Sequence, residues 1–143
     1  MEKVYTTPLL DKLGVRPGMR IAIVGEVDPD RSFRAQLADR TSDIAVGRPK
    51  PDTDLIFLAA DSHAELADLP ALRERIRPAG AIWVVSRKGR EATIRDVEVM
   101  AAAKAAGLVD NKVVSFSPTH TSLRLVIPLA LRPRARCRRA PAE

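Results

Sequence analysis

Residues 20–33 read RIAIVGEVDPDRSF. Ile21-Ala22-Ile23-Val24 is an aliphatic run of buried-strand length, and Gly25 stands at its C-terminal tip. A short helix is predicted next, from about Ser32 to Asp39, burying Phe33 and Leu37 one turn apart. Nucleotide-binding α/β folds place phosphate-cradling glycines at such a tip. The dinucleotide spacing G-x-G-x-x-G asks for two further glycines, and Val27 and Asp30 stand in their places. The strand, turn and helix are present without the fingerprint.

Working outward, Thr7-Pro8 ahead of Leu9, Leu10 and Leu13 reads as a short helix, with Thr7 as N-cap and Gly14 as its stop. Pro17-Gly18 turns the chain into the first strand, Arg20 to Val27, and Asp43 to Gly47 is a weak second strand closed by RPKP. Asp54 to Ala60 (DLIFLAA) is apolar on both faces, as an interior parallel strand must be. Ser62 and Glu65 have capping-box spacing ahead of a helical stripe of Leu66, Leu69, Leu72 and Ile76, which Pro70 breaks or restarts. Pro78-Ala79-Gly80 reads as a turn into the strand AIWVVS, Ala81 to Ser86, with Trp83 in the core. Thr93 and Asp96 cap a predicted helix from Ile94 to Ala106, with its buried face expected at Val97, Met100, Ala101, Ala105 and Leu108 and its end at Gly107. Lys112 to Ser117 and Ser122 to Pro128 are two strands joined across PTHT, a connection too short for a parallel crossover. The class is therefore α/β: one Rossmann-like domain, residues 1–131, with a mostly parallel sheet of about five to six strands and one antiparallel strand from the C-terminal hairpin.

A chain of 143 residues, 45% hydrophobic, buries a self-sufficient core. Aromatic content of only 3% weakens any function that needs stacking platforms for bases or sugars. Of the net charge of +6, the tail RPRARCRRAPAE (residues 132–143) carries five Arg against one Glu, so the body is close to neutral. That tail is expected to be disordered and solvated, and its charge is the feature that would touch nucleic acid. Cys137 is the single cysteine, which suits a reducing compartment. With no long apolar run and no signal-peptide layout, a cytoplasmic location away from membranes is expected.

The strand–helix–turn–strand segment DLIFLAADSHAELADLPALRERIRPAGAIWVVSRKG, followed by AAAKAAGLVDNKVVSF, resembles the C-terminal half of a class I S-adenosylmethionine-dependent methyltransferase domain. TPLLDKLGVRPGMRIAIV, the strand closing in Ser86-Arg87-Lys88, and GLVDNKVVSFSPTHTSLRLVIP are similar to a family of small uncharacterised bacterial proteins that has this scaffold in reduced form. The likeness spans about residues 6 to 128 and implies a truncated methyltransferase-like fold, with no established activity to carry over. Methyltransferases need several glycines after the first strand and a carboxylate at the tip of the second. Here Gly25 is alone, and the second strand runs into Gly47-Arg48-Pro49. No cofactor is expected.

Ligands of open α/β sheets bind beyond the carboxyl ends of the strands. That edge gathers Gly25, Glu26, Asp61 and Ser62 as candidate cofactor contacts, and Ser86, Arg87 and Lys88 as a candidate anion site. Ser86 lacks the glycines of a nucleophile elbow, since Val84 and Lys88 flank it. His63 and His120 with one tail cysteine do not make a zinc set, and Asp28-Pro29-Asp30 lacks the later ligands of a calcium loop. The turn SPTHTS groups four hydroxyls with a histidine. Three functions follow, in order: a non-catalytic or ligand-sensing domain taking a small anionic ligand, a divergent S-adenosylmethionine-dependent methyltransferase, and a nucleic-acid accessory protein acting through the tail. Homodimerisation is expected through the weak second strand or the alanine-rich helix, because unpaired sheet edges are usually covered or paired.

Overall fold

The computed structural model describes residues 9–27 and 32–132. The proposed cap Thr7-Pro8, the Asp28-Pro29-Asp30 segment and the tail past Arg132 lie outside the described residues. In chain order the elements are α1 (Leu9–Leu13), β1 (Ile21–Val24), α2 (Ser32–Arg40), β2 (Ile44–Val46), β3 (Thr53–Ala59), α3 (His63–Leu66), α4 (Leu69–Arg73), β4 (Ile76–Arg87), α5 (Asp96–Ala105), β5 (Val109–Ser115) and β6 (His120–Val126). The strands form one six-stranded sheet in the order β2-β1-β3-β4-β6-β5. β1 to β4 run parallel, and β6 is antiparallel to both its neighbours. The α/β class, the mostly parallel sheet and the reversed hairpin strand are as the sequence predicts.

Period-two alternation sorts each central strand between two cores. Ile21, Ile23, Leu55, Phe57, Trp83 and Val85 face Leu10 and Leu13 of α1 and Phe33 and Leu37 of α2. Ala22, Ile56, Leu58, Ile82 and Val84 face Leu66, Leu69 and Leu72 of α3 and α4, and Val99 and Ala103 of α5. This double cover is why DLIFLAA is apolar at both phases. Trp83 is fully buried, and its indole N–H donates to the Leu13 carbonyl at 3.1 Å, fastening α1 to the sheet. No helix among the described residues is long and apolar enough to cross a membrane.

Three local expectations are corrected. Pro78-Ala79-Gly80 is not a turn between elements but part of β4, which pairs Ile76 with Thr53 and Ala81 with Leu55. Between these pairs one residue of β3, Asp54, stands against four of β4, Arg77 to Gly80, and in this bulge proline's missing N–H costs no regular ladder position. Gly80 is required there, because an added Cβ would lie 2.8 Å from the Asp54 carbonyl oxygen. The helix α5 starts at Asp96, with the Arg95 amide donating to Glu98 Oε2 at 2.8 Å, while Thr93 spends its hydroxyl on the Asp61 carbonyl. Its buried stripe is Val99 and Ala103, flanked by Met100, Ala102 and Ala106, and Val97 is 64% exposed. The run DVEVMAAAKA is apolar on nearly every side, so periodicity did not select the face and the sheet did. Finally, the hairpin turn is Phe116 to Thr119, so His120 and Thr121 belong to β6. β2 is at one edge of the sheet, as expected, and β5 is at the other, with a register irregularity between Asp110 and Lys112.

Candidate functional site

The residues singled out at the strand tips lie in one row. Gly25 follows β1 with φ +83, and an added Cβ would come within 3.1 Å of Ala59 Cβ on β3, so only glycine turns there without strain. Glu26 beside it is exposed. Beyond β3, Ser62 caps α3 by accepting from the Glu65 amide at 3.3 Å, and Glu65 reaches past it to accept from the Asp61 amide at 2.7 Å. Asp61 Oδ1 in turn accepts from the Arg87 amide at 2.8 Å. The structure thus brings Asp61, Ser62 and Arg87 together. Ser86 is buried within β4, and Lys88 reaches away to donate to Ser115 Oγ at 2.7 Å.

The row continues across the reversed strand, because Arg87 pairs with His120. Here the hydroxyl-rich turn builds a hydrogen-bonded corner. Ser117 Oγ accepts from the amides of Thr119 (3.3 Å) and His120 (3.1 Å), and His120 Nδ1 lies 2.8 Å from Thr119 Oγ1. Between this turn and the first turns of α2 is a cleft of about 420 Å³. Leu9, Val27, Phe33 and Phe116 form its apolar wall; Gln36, Ser117, Thr119 and His120 supply polar groups. Phe57, the third phenylalanine of the chain, backs that wall, with Phe33 edge-on to Phe57 (5.0 Å between centroids) and to Phe116 (4.8 Å). Sequence reading singled out the turn but not the α2 side of the cleft. The scarcity of aromatic residues was the signal that would have joined Phe33 to Phe116.

On the opposite rim, Glu98 at the start of α5 approaches His63 of α3, with Oε1 and Nε2 at 2.6 Å. The Arg95 amide, and then the His63 ring, hold the Glu98 carboxyl below its ordinary range.

Sheet order, one reversed strand and helices on both faces define a class: the Rossmann-like fold of S-adenosylmethionine-dependent methyltransferases. Among solved structures, the chain is similar to an S-adenosylmethionine-dependent methyltransferase from Aquifex aeolicus (TM-score 0.57, 16% identity, 83% of this chain and 87% of that one). It is also similar to a TehB-like enzyme of that type from Corynebacterium glutamicum (TM-score 0.54, 14% identity, 83% and 85%). Residues 10–129 match the family described as Protein of unknown function (DUF3052), and the chain belongs to that family. No curated protein matches the sequence.

Proposed function

We propose that the chain is a non-catalytic, ligand-sensing domain on a methyltransferase scaffold, taking a small apolar anion in the cleft between α2 and the β5–β6 turn. One observation carries this reading: an apolar wall and a hydroxyl-and-imidazole corner face each other across a space of about 420 Å³, within the usual range of ligand pockets. The apolar body of the ligand would lie on Phe33 and Phe116. Its carboxylate or similar head would meet His120 and the turn hydroxyls, with Arg87 the register neighbour of His120.

The residues at the tip of β2 do not fit an adenosyl cofactor. Val46 is level with Ile23 of β1, and the next residue, Gly47 (φ +95), donates its amide to the Ile23 carbonyl at 2.8 Å. Exposed Arg48 follows where methyltransferases use an acid for the ribose hydroxyls. A divergent methyltransferase is the second reading, favoured by the shared fold. Calorimetry separates the two: S-adenosylmethionine and S-adenosylhomocysteine are expected to give no micromolar binding. Micromolar binding that is abolished in Gly25→Trp would establish the second reading instead. Benzoate, a minimal apolar carboxylate, is expected to shift the amide resonances of Ser117 to His120, and an unchanged spectrum at millimolar benzoate would remove the first.

A further inference from the structure

At the other end of the parallel strands is a cation with no counter-charge among the described residues. Arg124 occupies the middle of β6, in register with Trp83 of β4 on one side and Lys112 of β5 on the other. Those two neighbours are satisfied by α1: Trp83 Nε1 donates to the Leu13 carbonyl, and Lys112 Nζ donates to the Lys12 carbonyl at 3.0 Å. Arg124 between them is half-buried, and among the described residues its side chain has neither hydrogen bond nor ion pair. A guanidinium carries five N–H donors and is costly to desolvate without an acceptor. Burial, and then the charge of Arg132 nearby, push the Arg124 pKa down.

The guanidinium lines a cleft of about 230 Å³ between the end of α1 and the β4 bulge, together with Arg16 and Arg77. Asp54 is the one acid lining it among the described residues, and both its oxygens are engaged: Oδ2 accepts from the Arg20 amide at 2.8 Å, and Oδ1 from Arg77 Nη1 at 2.9 Å. Arg16 is exposed, with no side-chain partner among the described residues. The lining therefore holds three guanidinium charges against one carboxylate already bonded to Arg77. We propose that this cleft binds the phosphate group of a small phosphorylated molecule, with Arg124 and Arg16 as its two clamping guanidiniums. Guanidinium forks match phosphate oxygens in pairs, and a recessed cleft of this size takes a terminal phosphate rather than a continuous backbone. The site is separate from the α2–turn cleft, at the opposite end of the strands.

The test uses the full chain, with ribose 5-phosphate, inorganic phosphate and a short single-stranded oligodeoxynucleotide as probes at constant ionic strength. Saturable shifts of the Arg124 and Arg16 side-chain N–H resonances are expected with ribose 5-phosphate and, more weakly, with inorganic phosphate. Arg124→Gln should lower the affinity by about tenfold, as expected for loss of a charged hydrogen-bonding partner. Arg124→Lys, which keeps the charge but not the fork, should also weaken binding, with its amide spectrum otherwise unchanged. Loss of binding in Arg124→Gln together with a collapsed spectrum would be decided by Arg124→Lys: native-like spectrum with unaltered affinity overturns the proposal. So does an oligonucleotide that binds more tightly than ribose 5-phosphate and is insensitive to Arg124→Gln, since the anion site would then be elsewhere.

Discussion

The two ends of the parallel strands satisfy their polar groups in different ways. At the C-terminal ends, hydroxyls and carboxylates bond mainly to backbone amides: Ser62 to Glu65, Asp61 to Arg87, Ser117 to Thr119 and His120. At the N-terminal ends, charges pair with charges: Arg20 with Asp43 (3.0 Å), Lys50 with Asp43 (3.2 Å), Arg77 with Asp54 (2.9 Å). The first arrangement leaves a cleft lined by apolar groups, hydroxyls and an imidazole. The second leaves an arginine surplus, concentrated on Arg124. A scaffold known for one ligand edge thus carries two chemically distinct recesses, and each can be disturbed separately.

The largest expected effect removes what the two ends share. Trp83 is buried at the centre of β4 and ties α1 to the sheet through Leu13, and α1 contributes Leu9 to one cleft and Leu13 to the other. Trp83→Ala should destabilise the fold by about 3–5 kcal/mol, the usual cost of emptying a large aromatic site. Urea unfolding followed by circular dichroism measures this. A loss under 1 kcal/mol (about a third of the low end of that range) would mean that α1 is not held through Trp83, and the two clefts would lose their common wall.

A pair of glycine substitutions sharpens the comparison further. Gly80→Ala puts a methyl 2.8 Å from the Asp54 carbonyl oxygen and 3.1 Å from those of Arg77 and Thr53, all backbone atoms, so the β4 bulge has to move. Gly25→Ala meets the Ala59 side chain at 3.1 Å and adds the strain of a positive φ. Each should cost about 1–3 kcal/mol, with Gly80→Ala the larger because backbone yields less readily than a side chain. The local readouts should separate: Gly80→Ala shifts the resonances around Arg124, and Gly25→Ala those at Asp61 and Arg87. Equal disturbance at both ends from either variant would show that the two ends are not independent.

The alternation of strands and helices, the closing hairpin and the central strands were legible because double burial leaves an unambiguous aliphatic pattern in IAIV, DLIFLAA and AIWVV. What was not legible depended on neighbours. Pro78-Ala79-Gly80 has turn chemistry, and only pairing with Thr53 and Leu55 makes it a bulge. The α5 stripe depended on which of several apolar faces the sheet would take. At the functional level, the strand-tip row was readable from topology, and the structure does bring Asp61, Ser62 and Arg87 together. Arg124 could not be found this way. A charged residue inside TSLRLVIP reads as outward-facing, and its lack of a partner among the described residues appears only when Trp83, Lys112 and α1 are set around it.

The smallest effect is electrostatic and distinguishes the two ends by what holds their carboxylates. Asp43 is kept below its ordinary pKa chiefly by hydrogen bonds from the Arg20 and then the Lys50 side chains, against a burial effect that raises it. Glu98 is kept low first by the backbone amide of Arg95 and then by His63. Both folded pKa values are depressed, so the stability each contributes is present above the unfolded pKa and is lost as pH falls through the folded value, at about pH 4 and below. Both side chains are about a third exposed (33% for Asp43, 34% for Glu98), so solvent screens the effect and it is read from carboxyl carbon titration by NMR rather than from unfolding. Near 1 M salt the screening length shrinks to about 3 Å. The Asp43 pKa should then climb back toward its ordinary value, because charged side chains are its main support. Glu98 should move less, since the Arg95 amide is fixed by the start of α5 and carries no net charge. Glu98→Gln should retain an acceptor for that amide and abolish the acid-limb contribution at α5 while leaving the Asp43 titration in place. If salt moved Glu98 as far as Asp43, the His63 contact would be its main support, and the contrast between backbone-held and charge-held ends would fail at this position.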